Sequence, residues 1–302
     1  MSPAAFRDNF PGLDELVHLA SCSQGALSDL VSASQRDYHQ TLLDRGAAWD
    51  VWMTQVHRAR ELFAASIGAS TDDIALVASA SEGAYQVAST QSWGDRPVVV
   101  TTDMEFPSVA HVWLAQRQRG AQVRFVSDHD WQVDVEDYEV AIGSDTKLVS
   151  TPLISYRNGL RMPVAAIAAQ AHEAGARVFV DAYQGFGVEP IDVTELGCDY
   201  LVTGTLKYAL GLPGLAFLYV RPGLHDDQAP TLTGWFGRVD PYAFDPRHLD
   251  HPEHARRFEA GTPAVPSVYA AVAGLSLLAE LDPRVVREHV AGLSRHLHEE
   301  LM

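Results

Sequence analysis

Two lysines and two cysteines are all that this chain of 302 residues holds of either type. Cys22 and Cys198 can close at most one bridge. That excludes a disulfide framework and makes an intracellular, reducing compartment the default. Positive charge is scarce as well: 22 Lys and Arg stand against 39 Asp and Glu, a formal net charge of −17. Nucleic acids and anionic membranes are themselves negative, so neither is expected as a general partner, although a small basic pocket for an anionic cofactor stays compatible with that charge. Long apolar runs are missing too. The longest, over residues 268–281, is broken by Gly274, Ser276 and Glu280 and is too short to span a bilayer. The opening MSPAAFRDNFPGLDELVHLA has no basic start leading into an apolar stretch, so no signal peptide is expected and the chain reads as cytoplasmic. With 47% hydrophobic and 20% charged residues, the composition is that of a globular protein, long enough for one large domain or two ordinary ones.

What is present is an alternation. The chain opens with an irregular arm over residues 1–30, then helical patterns run through VSASQRDYHQTLL and AWDVWMTQVHRARELFAASIG. After them, short β-branched runs (IALVAS, PVVVTT, QVRFVS, KLVSTPLIS, RVFVDA, YLVTGT, LAFLYVRP) alternate with helical stretches, except that QVRFVS leads into a loop. Such alternation predicts an α/β fold with a mainly parallel sheet. Beyond Arg221 the sequence is loop-rich before two closing helical stretches. In sheets of this kind ligands bind outside the carboxyl ends of the strands, so the polar residues just after each run carry the interest.

One of the two lysines stands there. Lys207, in TGTLKYALGLPG, sits among Leu201, Val202, Leu206, Ala209 and Leu210. A buried ammonium is costly and tends to shed its proton. Asp181 ends the run VFVD, with Gln184 three residues on. Singly, Asp181 reads as a helix or turn cap and Lys207 as a side chain snorkelling to water. Jointly they supply what pyridoxal 5′-phosphate (PLP) requires: an amine for a Schiff base and an acid against the pyridinium nitrogen.

The segment AHEAGARVFVDAYQGFGVEPIDVTELGCDYLVTGTLKYALGLPGLAFLYVRP resembles the cofactor core of the class V aminotransferase family, which includes cysteine desulfurases, kynureninases, isopenicillin-N epimerase-like proteins and C–S lyases. The pattern is carried by Asp181, Gln184, Asp199, Lys207 and the turn Gly211–Gly214. The resemblance implies a fold type I PLP enzyme acting on an amino-acid-type substrate. Lys207 would be the Schiff-base lysine and proton carrier, Asp181 the partner of the ring nitrogen, and Gln184 the donor to the ring's phenolic oxygen. ASASEGAYQVA resembles the phosphate cradle, implicating Ala80 and Ser81, for which a plain helix cap is the alternative. DMEFPSVAHVW resembles the stretch that stacks an aromatic ring on the cofactor, here Phe106 unless it is a core residue. TGWFGR and RRFEAGTP resemble loops that reach a neighbouring subunit's phosphate, implicating Trp235 and Thr262 in a homodimer; a structural loop anchored by Trp235 is the alternative.

There are departures from the pattern. Relatives often carry a histidine before the lysine; here it is Leu206, which leaves Thr205 as the phosphate contact. SYRNG stands where desulfurases place an asparagine. The resemblance divides the chain into the arm (1–30), a PLP-binding domain (31–265) and the start of a small C-terminal domain (266–302) that the chain does not complete. It leaves Arg157, Arg161, Arg238 and Arg257 as candidates for the substrate carboxylate. Neither cysteine matches a persulfide-forming position. Elimination of the C–S lyase type is the expected reaction, with transamination next and kynureninase-type cleavage or epimerisation after it. Among other classes, a dehydrogenase lacks a G-x-G-x-x-G after any strand, and a metal site at His248, His251 and His254 has the spacing of a polar loop, so no metal is expected.

Overall fold

In the computed structural model, which describes residues 1–224 and 227–302, a seven-stranded sheet runs through the molecule in the order β1-β7-β6-β5-β4-β2-β3. The strands are β1 (Ile74–Val77), β2 (Val98–Thr102), β3 (Gln122–Val126), β4 (Thr146–Pro152), β5 (Arg177–Asp181), β6 (Tyr200–Gly204) and β7 (Ala216–Val220). Among these strands only β7 runs against its neighbours; the pairs from β3 through β6 are parallel. β4, β5, β6 and β7 are buried almost throughout, as strands covered on both faces must be.

The helices are α1 (Pro3–Arg7), α2 (Asp29–Arg45), α3 (Trp49–Ser66), α4 (Ala80–Ser89), α5 (Pro107–Ala115), α6 (Val135–Ala141), α7 (Val164–Glu173), α8 (Val193–Leu196), α9 (Val265–Ala279) and α10 (Pro283–Leu301), with α3 and α5 on opposite faces of the sheet. On one face Phe63 of α3 stacks on Phe217 of β7 at 4.4 Å. On the other, Trp113 of α5 meets Phe179 of β5 edge-on at 5.3 Å. The expected loop after β3 contains α6. Its signal is Asp134, whose amide donates to Asp137 Oδ2 at 2.8 Å, three residues on, with Tyr138 buried behind it.

The arm is irregular apart from α1 and a 3₁₀ turn over Pro11–Asp14, and it ends where Ser28 Oγ caps α2. The boundary expected after residue 265 falls in the first turn of α9, whose Val268, Ala271 and Leu275 join the main core. α10 follows at 86° and carries no buried residue. In the loop-rich stretch after Arg221, residues 225 and 226 lie outside the described residues. Among the described residues no single helix is long and apolar enough to cross a membrane.

The parallel register sets the carboxyl ends of β4 and β5 side by side, Pro152 opposite Asp181. β2 and β6 end along the same edge, and α4 begins there after β1. That edge holds the site.

Candidate active site

The strand ends open on a cavity of about 460 Å³ whose walls include Ser81, Phe106, Asp181, Tyr183, Gln184 and Lys207. Asp181 is the last residue of β5 and is 5% exposed; the Tyr183 amide donates to its Oδ1 at 2.8 Å. Burial pushes its carboxyl up to about 6, against the pull of that amide and of Lys207. Lys207 stands three residues beyond β6, its Nζ 4.5 Å from the centre of the Tyr183 ring and 5.4 Å from that of Phe106. Burial lowers its ammonium's pKa, with Asp181 opposing. The result is a lysine with more free amine than an exposed one, beside an acid that ionises late.

Close packing explains the placement. Tyr183 fits over β6 because Gly204 has no side chain: a Cβ there would lie 2.1 Å from the Tyr183 hydroxyl. Gly83 lets α4 approach β6, since its Cβ would meet Val202 Cγ2 at 2.7 Å. The first turn of α4, capped by Ser79 Oγ on the Glu82 amide at 3.1 Å, therefore points its Ala80 and Ser81 end at the cavity. A helix N-terminus is a ready anion site. Phe106 is 40% exposed and meets Tyr156 edge-on at 5.1 Å, forming an aromatic corner at the mouth. The arm closes one side. The Gly25 amide and the Gln24 side chain both donate to Leu206 O, at 2.8 and 3.0 Å, and Gln184 Nε2 donates to Cys22 O at 3.1 Å. A Cβ on Gly25 would lie 2.2 Å from Lys207 O. An amine, a buried carboxyl, an aromatic face and a helix N-terminus around one cavity fit a phosphorylated, cationic aromatic ring.

The aminotransferase class-V family model matches residues 34–302. The chain belongs to this family. It is thus a member of a PLP-dependent enzyme family. Over 288 residues it is 43% identical to an uncharacterised aminotransferase, YcbU, of Bacillus subtilis, covering 95% of this chain and 76% of that one. It is 30% identical to a probable cysteine desulfurase of Methanothermobacter thermautotrophicus over 81% of this chain, and spans 60% of that relative's length. An apo cysteine desulfurase from Thermococcus onnurineus superposes with a TM-score of 0.89 at 24% identity, over the whole of this chain and 77% of the other, a likeness of fold.

The structure brings Ala80, Ser81, Phe106, Asp181, Gln184 and Lys207 of the class V pattern to one cavity. Thr205 does not line it: its hydroxyl is turned to Leu212 O at 2.6 Å and Leu215 O at 3.1 Å, closing the turn after Lys207. Trp235 packs among Trp49, Phe236, Tyr242 and Phe244, and Thr262 is exposed, both outside this chain's own cavity. Asp199 sits at the far end of β6, where the Val178 amide at 2.7 Å, His172 at 2.9 Å and Arg221 at 2.7 Å hold it. Its place in the pattern is structural. Of the four arginines, Arg161 pairs with Glu189 and Arg238 with Asp250, while Arg257 donates to Glu253 O. Arg157 follows the cavity residue Tyr156, stacks on Trp131 at 4.2 Å and pairs with Asp128 at 3.1 Å. Among the described residues no group of three or more His, Cys, Asp or Glu is placed to hold a metal.

Sequence reasoning missed three features. Tyr183 lay in plain view between Asp181 and Gln184. Cys22 and Ser23 carry no local signal, because only the folded arm brings them to Lys207. Cys198, by contrast, is buried, and burial pushes its thiol up to about 12, which makes it inert.

Proposed function

We propose that this protein works on an amino-acid substrate through PLP held by Lys207, and that it eliminates a sulfur-bearing group from Cβ. The observation that carries the reading is the pairing of a half-buried lysine of lowered pKa with a buried carboxyl across one cavity. PLP bound there would supply an electron sink for the charge left at the substrate Cα. The chain's residues do the rest. Lys207 is the residue that would hold the cofactor, and its Nζ would carry the proton taken from the substrate Cα. Asp181, ionised at neutral pH, would accept a hydrogen bond from the protonated ring nitrogen and so hold that nitrogen cationic. Gln184 is placed to donate to the phenolic oxygen. The first turn of α4 with Ser81 would hold the phosphate, and Phe106 would cover the ring. Arg157, next to Tyr156, is the arginine set to meet the substrate carboxylate. Trp235 and Thr262 are assigned to the site of a second copy in a cytoplasmic homodimer.

Transamination is the second reading, in line with the 43% identity to the uncharacterised aminotransferase YcbU of Bacillus subtilis. The two separate on their products. Incubated with PLP and cysteine, the protein should release pyruvate and sulfide in equal amounts. With alanine it should leave the cofactor in its aldehyde state. Conversion of the cofactor to its amine form by alanine, without sulfide from cysteine, would reject elimination in favour of transamination.

A further inference from the structure

Behind Asp181 lies a second buried carboxyl that the mechanism above does not use. Glu105, 4% exposed, sits in the turn between β2 and α5, immediately before Phe106. Its Oε1 accepts the Phe106 amide at 2.9 Å, and its Oε2 lies 3.2 Å from Ser150 Oγ, a hydroxyl able to donate to a carboxylate or to accept from the acid form. Side chains alternate along a strand, so Ser150 and Pro152 share one face of β4. Pro152 pairs with Asp181, which puts the Ser150 hydroxyl and the Asp181 carboxyl on that same face. The groups around Glu105 are Thr102 of β2, Tyr138 of α6, Ser150 of β4 and Asp181 of β5, with Lys207 beyond Asp181. Lys207 is the cation in that set, and it acts on Asp181.

Two buried carboxyls sharing one cation do not both ionise. Asp181 has Lys207 and a backbone amide to stabilise its charge; Glu105 has an amide and a hydroxyl. We infer that Glu105 is a positioning residue that keeps its proton at neutral pH, so that the negative charge of the pair resides on Asp181, while its carboxyl anchors the backbone of Phe106 over the cofactor. Burial first, and Asp181 second, hold the Glu105 carboxyl well above the ordinary range, in the same direction. The inference rests on the assignment of Asp181 to the ring nitrogen, but its test does not require turnover.

The sign follows from linkage. A carboxyl whose pKa is raised by folding contributes its stability below its unfolded value, and that contribution is lost as pH rises above it. Glu105→Gln keeps the shape and cannot ionise. Thermal melts of the full chain, with and without PLP, should therefore show the variant gaining on wild type as pH rises from about 4.5 to 8, by at least about 2 °C. In an Asp181→Asn background the gain should shrink, because the repelling charge is gone. A difference that does not change with pH, or is the same in both backgrounds, overturns the inference. PLP titrations at neutral pH give a second readout: Glu105→Ala should bind about tenfold more weakly, and Glu105→Gln should restore most of that affinity. Equal affinity of Glu105→Ala and wild type contradicts the anchoring of Phe106. Should Glu105→Gln not fold, the infrared band of a buried protonated carboxyl in wild-type protein at pH 7.5 decides: present, it supports the inference, and absent, it refutes it. Failure of the cofactor assignment would look different, with no PLP bound by wild type.

Discussion

At the scale of single residues, the role proposed for Asp181 would come at the expense of stability. Its carboxyl is raised from 3.8 to about 6, mainly by burial. A tenfold change in a protonation equilibrium is worth about 1.4 kcal/mol, so at neutral pH the ionised carboxylate costs the cofactor-free fold about 3 kcal/mol at most. The raised pKa means that this cost is absent below about 3.8 and grows until pH passes about 6. Asp181→Asn should therefore melt higher than wild type at pH 7, and the advantage should disappear near pH 4. The same variant should bind PLP poorly, because it cannot hold a cationic ring nitrogen. An advantage over wild type no larger at pH 7 than at pH 4 would show that Asp181 is not strained by burial. Lys207 and Asp181 were legible in the sequence because each is an ionisable residue set against an apolar run. Glu105 was not, since nothing in MEFPS distinguishes a buried carboxyl from an exposed one.

At the scale of elements, α9 supports the turn that follows Lys207. Its Gly274 faces the backbone just after Lys207: a Cβ would meet Ala209 O at 2.3 Å and the carbonyl carbon of Leu210 at 2.9 Å. Leu210 itself is held at φ 59°, in the left-handed region that a branched side chain seldom adopts. Backbone atoms cannot swing aside as a flexible side chain does. Gly274→Ala should thus cost about 1–3 kcal/mol and weaken PLP binding, read by melting and by PLP titration. Unchanged values for both would show that α9 and the turn are uncoupled. In the sequence Gly274 served only to interrupt an apolar run, because its contact is with a loop more than 60 positions earlier. The strands were readable from their β-branched runs, which register pairing then brought to one edge. α6 was obscured by a short, acidic stretch whose apolar content is small, although its cap was there to be seen.

At the scale of the whole molecule, the proposed homodimer would add Trp235 and Thr262 of one copy to the site of the other. Trp235 heads an aromatic cluster in which Tyr242 is 52% and Phe244 71% exposed, a patch that a second copy would cover. Light scattering should give twice the chain mass, and Phe244→Asp should lower it; a monomeric wild type would withdraw the roles given to Trp235 and Thr262. Family membership was legible because the cofactor core is contiguous in sequence. The arm's position against Lys207 was not, because it depends on the Gly25 and Gln24 contacts made across some 180 residues. The central claim is that Lys207 binds PLP covalently. The most direct test compares visible spectra of wild type and Lys207→Ala after PLP is added and the free cofactor dialysed away. The account predicts a yellow band in wild type that the variant lacks. An identical band in both proteins, or none in wild type, would contradict it.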